Sequence, residues 1–232
     1  QQLGFSVALG DLDGDGLDDL VVGARSQSGS YYPGSVYILL SPAPTSGTMA
    51  SADGVIAGTG DANTYVAPVV GDISGDGLGD VAVSAPWAGG SYTGAVYIEY
   101  GPATGSASTS YADAVLFGEA ANDSAASSLA MGDVDGDGID DLIVGAQSQT
   151  SVGSQAGAVY TVLGPISGSM NLASADAKLV PPTGAYQLGS SVSLGDTDGD
   201  GVLDLASGAA WDDGEAYVFL GPVTGHSGTA SA

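Results

Sequence analysis

The chain has 232 residues, 44% of them apolar, and sets 27 acidic side chains against only Arg25 and Lys178, for a formal net charge of −25. A body this negative repels nucleic acid and anionic membrane surfaces, and no apolar run approaches the roughly 20 residues of a membrane helix, so membrane insertion is not expected. The absence of cysteine excludes disulfides, thiolate metal sites and cysteine nucleophiles.

Four predicted units follow one another. In the first, an alternating run from Phe5 to Gly10 enters the acidic loop Asp11 to Asp19, and an apolar run, Asp19 to Gly23, leaves it. A third run, Gly34 to Leu40, carries Val36-Tyr37, and a fourth, Ala52 to Ala57, opens on Ala-Asp. The second unit repeats the order with Val66 to Gly71, a loop from Asp72, then Asp80 to Ser84, Gly94 to Tyr100 and Ala112 to Phe117. Pro68 lacks an amide donor, which predicts local irregularity in that first strand. The third unit gives Ser127 to Gly132, a loop from Asp133, then Asp141 to Gly145, Gly157 to Leu163 and Ala175 to Val180. The fourth gives Ser190 to Gly195, a loop from Asp196, then Asp204 to Gly208 and Gly214 to Leu220.

The runs are short, rich in Val, Ile, Leu and Tyr, and bounded by Gly, Pro, Ser and Asp, which is strand chemistry. The loops begin at Asp11, Asp72, Asp133 and Asp196, so 61, 61 and 63 residues apart. Four short antiparallel strands per period predict an all-β fold: a β-propeller domain of four four-stranded blades, at about residues 1–58, 59–118, 119–181 and 182–232. The chain stops at Ser231-Ala232, where the next Ala-Asp strand is due, so the last blade is expected to be one strand short. An open blade edge is a template for strand addition, and a dimer or head-to-tail polymer is expected.

The loops carry the chemistry. Of the 27 acids, 17 lie in these four nine-residue stretches, leaving 10 for the other 196 positions. Oxygens at loop positions 1, 3, 5 and 9, with a carbonyl at position 7, form a cage for a hard cation. The candidate ligands are Asp11, Asp13, Asp15, Leu17 and Asp19; Asp72, Ser74, Asp76, Leu78 and Asp80; Asp133, Asp135, Asp137, Ile139 and Asp141; and Asp196, Asp198, Asp200, Val202 and Asp204. An all-oxygen set favours Ca²⁺, about four ions and one per blade, over zinc or copper. Position 12 is Val22, Val83, Val144 and Ser207 where an EF-hand needs Glu, so the EF-hand is rejected. Asp18 and Asp140, beside the ligand positions, are expected to be solvated.

Trp87, Trp211, Tyr32 and Tyr92 fall in the loops between second and third strands, and form a candidate aromatic rim for a protein or glycan ligand. Packing against a neighbouring blade is the plainer expectation for the two tryptophans. Tyr37, Tyr97, Tyr160 and Tyr217 recur in the third strand, which argues for a packing role. His226, the single histidine, reads as an exposed tail residue. No catalytic residue is nominated.

These units resemble FG-GAP repeats, the blades of the integrin α-subunit β-propeller and of its bacterial relatives. The FG position reads Leu3-Gly4 and Leu188-Gly189, against Tyr65-Val66 and Ser127-Ser128 in the other copies. The GAP position reads Gly23-Ala24-Arg25, Ser84-Ala85-Pro86, Gly145-Ala146-Gln147 and Gly208-Ala209-Ala210. The resemblance implies a propeller whose calcium loops sit on one face. The expected function is a non-catalytic, extracellular, calcium-stabilised module for adhesion or structure. The alternatives are a subunit of a surface filament or coat, and a lectin-like or enzyme-associated propeller domain. Gln1-Gln2-Leu3-Gly4 has no signal-peptide character, so a secreted form is expected to have lost its leader.

Overall fold

The computed structural model describes residues 2–25, 34–42, 48–58, 67–89, 91–181, 186–211 and 214–224, which form four sheets with no α-helix among them. The first unit contributes β1 (Gln2–Gly10), β2 (Asp19–Arg25), β3 (Ser35–Leu39) and β4 (Gly54–Ala57). The second contributes β5 (Pro68–Gly71), β6 (Asp80–Ala85), β7 (Ala95–Glu99), β8 (Gly105–Ser108) and β9 (Ala114–Phe117). The third contributes β10 (Ala125–Gly132), β11 (Asp141–Ala146), β12 (Ala158–Val162), β13 (Gly168–Asn171) and β14 (Ala177–Leu179). The fourth contributes β15 (Leu188–Gly195), β16 (Asp204–Ala209) and β17 (Glu215–Phe219). The architecture is that of a four-bladed propeller whose sheets do not close on one another.

In every unit the glycine ending the first strand pairs with the aspartate beginning the second: Gly10 with Asp19, Gly71 with Asp80, Gly132 with Asp141 and Gly195 with Asp204. The acidic stretch is therefore the turn of each inner hairpin. Pro68 begins β5, where its missing amide interrupts no ladder. The first strands carry a bulge at matching places, between Leu3 and Ser6, Ala125 and Ser128, and Leu188 and Ser191. Gly4, Ala126 and Gly189 sit there with φ of 74°, 67° and 83°. The third FG position is thus Ala125-Ala126. Aligning it to Ser127-Ser128 is corrected by this shared left-handed residue.

Two strands were not expected from the sequence. β8 leaves its own unit and pairs in parallel with β4 of the preceding blade, from Gly54 opposite Gly105 to Ala57 opposite Ser108. β13 does the same to β9, from Ala114 opposite Gly168 to Phe117 opposite Asn171. A single 3₁₀ turn, capped by the Ser108 or Asn171 side chain, then brings the chain back to its own blade as β9 or β14. The first two sheets therefore hold five strands, the third four, and the fourth three among the described residues.

The core lies between blades. Val21, Val36, Ile38 and Ile56 of the first blade meet Val81 and Val83 of the second. Ala82, Val96, Ile98 and Leu116 of the second meet Leu142, Val144 and Tyr160 of the third. Ile143, Val159 and Leu179 of the third meet Leu188, Leu205 and Tyr217 of the fourth. β6 and β11 are buried along their whole length because both faces are covered. Tyr160 and Tyr217 pack into these interfaces, as the periodic tyrosines predict. The four first strands line an open central cavity of about 360 Å³.

Candidate metal centres

Each loop is wound by its own carboxylates. The first aspartate accepts backbone amides three and five residues on: Asp11 from Gly14 and Gly16, Asp72 from Gly75 and Gly77, Asp133 from Gly136 and Gly138, Asp196 from Gly199 and Gly201, at 2.6–3.0 Å. The fifth-position aspartate accepts from the amide two residues later, Asp15 from Leu17, Asp76 from Leu78, Asp137 from Ile139 and Asp200 from Val202. These bonds curl the loop so that its side-chain oxygens converge. Gly16, Gly77, Gly138 and Gly201 supply the reversal, with φ of 86–91°.

The ninth-position aspartates are buried and hold two elements together. One oxygen of Asp19, Asp80, Asp141 and Asp204 accepts from the loop's second residue, Leu12, Ile73, Val134 or Thr197. The other accepts from the start of the turn that leaves the third strand, at Ser41, Gly101, Gly164 or Gly221, at 2.7–2.9 Å. Burial pushes the carboxyls of Asp80 and Asp141 above the usual carboxylate range. Hydrogen bonds from the Thr197 hydroxyl and amide and from Gly221 pull Asp204 below it.

Three of the four loops bring three acids within 4.8 Å of one another: Asp11, Asp13 and Asp15; Asp133, Asp135 and Asp141; and Asp196, Asp198 and Asp204. The second loop has Ser74 in place of the third-position acid, and the Ser74 hydroxyl is buried beside the Asp80 carboxyl without a well-formed hydrogen bond. A poorly satisfied hydroxyl at a ligand position, in the same loop as Asp72, Asp76 and Asp80, fits a cation. The donor set also fits: carboxylates and a hydroxyl, without a competing Lys or Arg in any loop.

Consecutive loops are tied to each other. The Gly79 amide donates to the Asp11 carbonyl at 2.8 Å, and the Asp140 amide to the Asp72 carbonyl at 2.9 Å. Asp140 also accepts from the Asp72 amide at 2.9 Å. It is therefore half-buried between two loops, not solvated, and burial followed by the Asp72 and Asp133 charges pushes its carboxyl up. Asp18 is exposed as expected.

Two features escaped the sequence reading, one recurrent and one unique. Asp53, Asp113 and Asp176 accept from Leu40, Tyr100 and Leu163, clamping the fourth strand's entry to the third strand's exit. Their signal was the repeated Ala-Asp, read only as a strand start. Glu119 is the second feature: it accepts from the Tyr160 hydroxyl at 2.7 Å and from Lys178 at 2.5 Å, pinning the second blade's exit loop to the third blade. Nothing in the repeat marked it, because Lys178 has no counterpart in the other units.

Of the aromatic candidates, Trp87 and Tyr92 share the loop between β6 and β7, and Trp211 lies between β16 and β17; all three are exposed. Trp87 is 39% and Trp211 55% exposed, so each presents part of its ring to solvent. The Tyr92 carbonyl accepts the Ser124 amide at 3.2 Å, which joins this loop to the entry of β10. Tyr32 and His226 lie outside the described residues.

The FG-GAP repeat profile matches residues 3–39, 64–98, 125–162 and 188–219. These starts agree with the bulge alignment that places Ala125 opposite Leu3 and Leu188. Integrin alpha-PS2 of Drosophila melanogaster is 38% identical over 113 residues, covering 45% of this chain and 8% of that protein. Integrin alpha-V of Gallus gallus is 36% identical over 156 residues, covering 62% and 14%. Phosphatidylinositol-glycan-specific phospholipase D of Rattus norvegicus is 34% identical over 169 residues, covering 68% and 20%. The chain thus spans a fifth or less of the length of these relatives. With four matched repeats spread along its length, the chain belongs to the FG-GAP repeat family.

Proposed function

We propose that this chain is a non-catalytic adhesion or ligand-binding module whose four units fold as one domain, rigidified by about four calcium ions, one per blade. The ligands are the first-, third-, fifth- and ninth-position side chains with the position-7 carbonyls of Leu17, Leu78, Ile139 and Val202. Bound calcium supplies charge neutralisation and a fixed loop shape. Similarity to integrin α-subunits supports an extracellular or cell-surface setting and a protein partner. Similarity to a phospholipase supports the same unit serving as an accessory module beside an enzyme. The exposed Trp87, Tyr92 and Trp211 favour a glycan or peptide as the second ligand class, because aromatic faces in solvent stack on sugar rings. Self-association as a dimer or head-to-tail polymer, extending to a surface filament or coat, completes the proposal.

The observation that carries it is the convergence of acidic oxygens in three of the four loops, none of which contains a Lys or Arg. Three to five carboxylates in nine residues repel one another without a cation. Calcium binding to the folded state alone contributes about 2.7 kcal/mol per site at a hundredfold excess over Kd. Thermal melting in calcium and in EDTA tests it, with a fall of more than about 10 °C expected on chelation. An unchanged melting temperature, or calorimetry showing no calcium uptake, refutes it.

A further inference from the structure

Asp140 is the eighth residue of the third loop and stands between two of that loop's ligand positions. Ile139 before it offers the position-7 carbonyl, and Asp141 after it is the ninth-position carboxylate. A cation held by both would fix the backbone of the residue between them. Asp140 directs its own polar groups to the neighbouring blade. Its amide donates to the Asp72 carbonyl at 2.9 Å, and its Oδ2 accepts from the Asp72 amide at 2.9 Å. Two opposed bonds to one residue fix both its position and its rotation. Asp72 is the first ligand position of the second loop, and its carboxylate winds that loop through the amides of Gly75, Asp76 and Gly77. Order in the third loop therefore reaches the head of the second through a single residue.

The other consecutive loops lack this paired contact. Gly79, the eighth residue of the second loop, donates its amide to the Asp11 carbonyl at 2.8 Å but has no side chain to accept in return. A Cβ there would lie 2.6 Å from that same carbonyl oxygen, so the close approach admits only glycine. In the fourth loop the eighth residue is Leu203, whose side chain packs in the apolar cluster with Val134. Among the described residues, the side-chain tie is particular to the second and third loops.

We infer that Asp140 is a positioning residue that couples calcium binding at the second and third loops, so that each site binds more tightly when the other is filled. This rests on the calcium reading of the proposed function and adds to it an interaction between sites. Two neighbouring cations repel one another, so the sign of the interaction separates the Asp140 latch from plain electrostatics.

Calcium titration of the ¹⁵N-labelled 232-residue chain by NMR tests this. The amides of Gly16, Gly77, Gly138 and Gly201 each donate to the first aspartate of their own loop, and so report the four loops separately. Asp137→Asn weakens the third loop. It is expected to raise the calcium concentration at half-saturation of Gly77 by at least about fivefold, while Gly201, in the loop on the other side, stays unmoved. In Asp140→Ala, and in Asp140→Gly, which has the second loop's own residue at this position, adding Asp137→Asn is expected to leave Gly77 unmoved. Asp140→Asn keeps an acceptor for the Asp72 amide and is expected to keep the response. Reciprocity requires Asp76→Asn to weaken the third loop in the same sense, read at Gly138. A Gly77 midpoint that stays or tightens with Asp137→Asn, an equal shift at Gly201, or a response undiminished in Asp140→Ala and Asp140→Gly overturns the inference. Loss of the response in Asp140→Asn overturns the hydrogen-bonded route. If none of the four glycine amides moves with calcium in the unmodified chain, the calcium reading itself falls, and the coupling with it.

Discussion

The second and third blades share a backbone but differ at a few positions that separate what shapes a loop from what charges it. In both, the first aspartate winds the loop and the ninth clamps it to the turn after the third strand, with matching partners. The second has Ser74 and Gly79 where the third has Asp135 and Asp140. Loop geometry survives the loss of two carboxylates, so the frame is set by amide bonds and glycine turns, and the remaining acids are free to serve charge.

The largest effect is expected at the shared clamp. Asp80→Ala and Asp141→Ala each strip partners from buried amides on two sides, and each should destabilise the calcium-loaded protein by about 3 kcal/mol in chemical denaturation. Equal losses would support a common frame; a loss confined to the third blade would break the comparison.

Next is Glu99, which occupies the place of Val162 at the end of the third strand. Its Oε2 is buried without a partner, and burial followed by the Asp113 charge pushes its pKa from 4.5 to about 7. A raised folded-state value means the folded protein holds the proton more tightly. Stability from this group is therefore present below pH 4.5 and lost as pH rises to about 7. Glu99→Gln should match the parent at pH 4 and exceed it by about 1–2 kcal/mol at pH 8, after allowance for partial solvent screening. Parallel melting curves with saturating calcium check this; a constant gap across the range would exclude titration of Glu99.

Charge itself is tested by exchange at the third loop position. Ser74→Asp should raise calcium affinity of the second loop about tenfold, roughly 1.4 kcal/mol, and Asp135→Ser should lower that of the third by a similar factor. Titration calorimetry resolves both, and unaltered affinities would remove the third position from the ligand set. The smallest effect is at Ala126, which holds the left-handed conformation that Gly4 and Gly189 hold in their blades. Ala126→Gly should stabilise the protein by about 0.5 kcal/mol, read as a rise of a degree or two in melting temperature.

The repeat, the strands around each acidic turn and the convergence of the loop oxygens were legible in the sequence because each follows from spacing. What was hidden depended on partners distant in sequence. Gly105-Ser106-Ala107-Ser108 and Gly168-Ser169-Met170-Asn171 have the composition of linkers, and become strands only because an outer blade edge offers them unpaired amides and carbonyls. Asp140 looked like a surplus surface acid, yet it reaches the amide of Asp72 in the neighbouring loop. The left-handed alanine at 126 was concealed by a two-residue misalignment that only the bulge resolves.

The crossing of β8 onto β4 and of β13 onto β9 shifts the modular boundary of the protein. A cassette cut where the sequence repeat ends would leave its final strand behind in the next copy and carry off one that belongs to its neighbour. Duplication of such a cassette adds a working unit only when it lands beside another of its kind. Shuffling should therefore proceed in tandem arrays, and a lone excised repeat should fail to hold its outer edge.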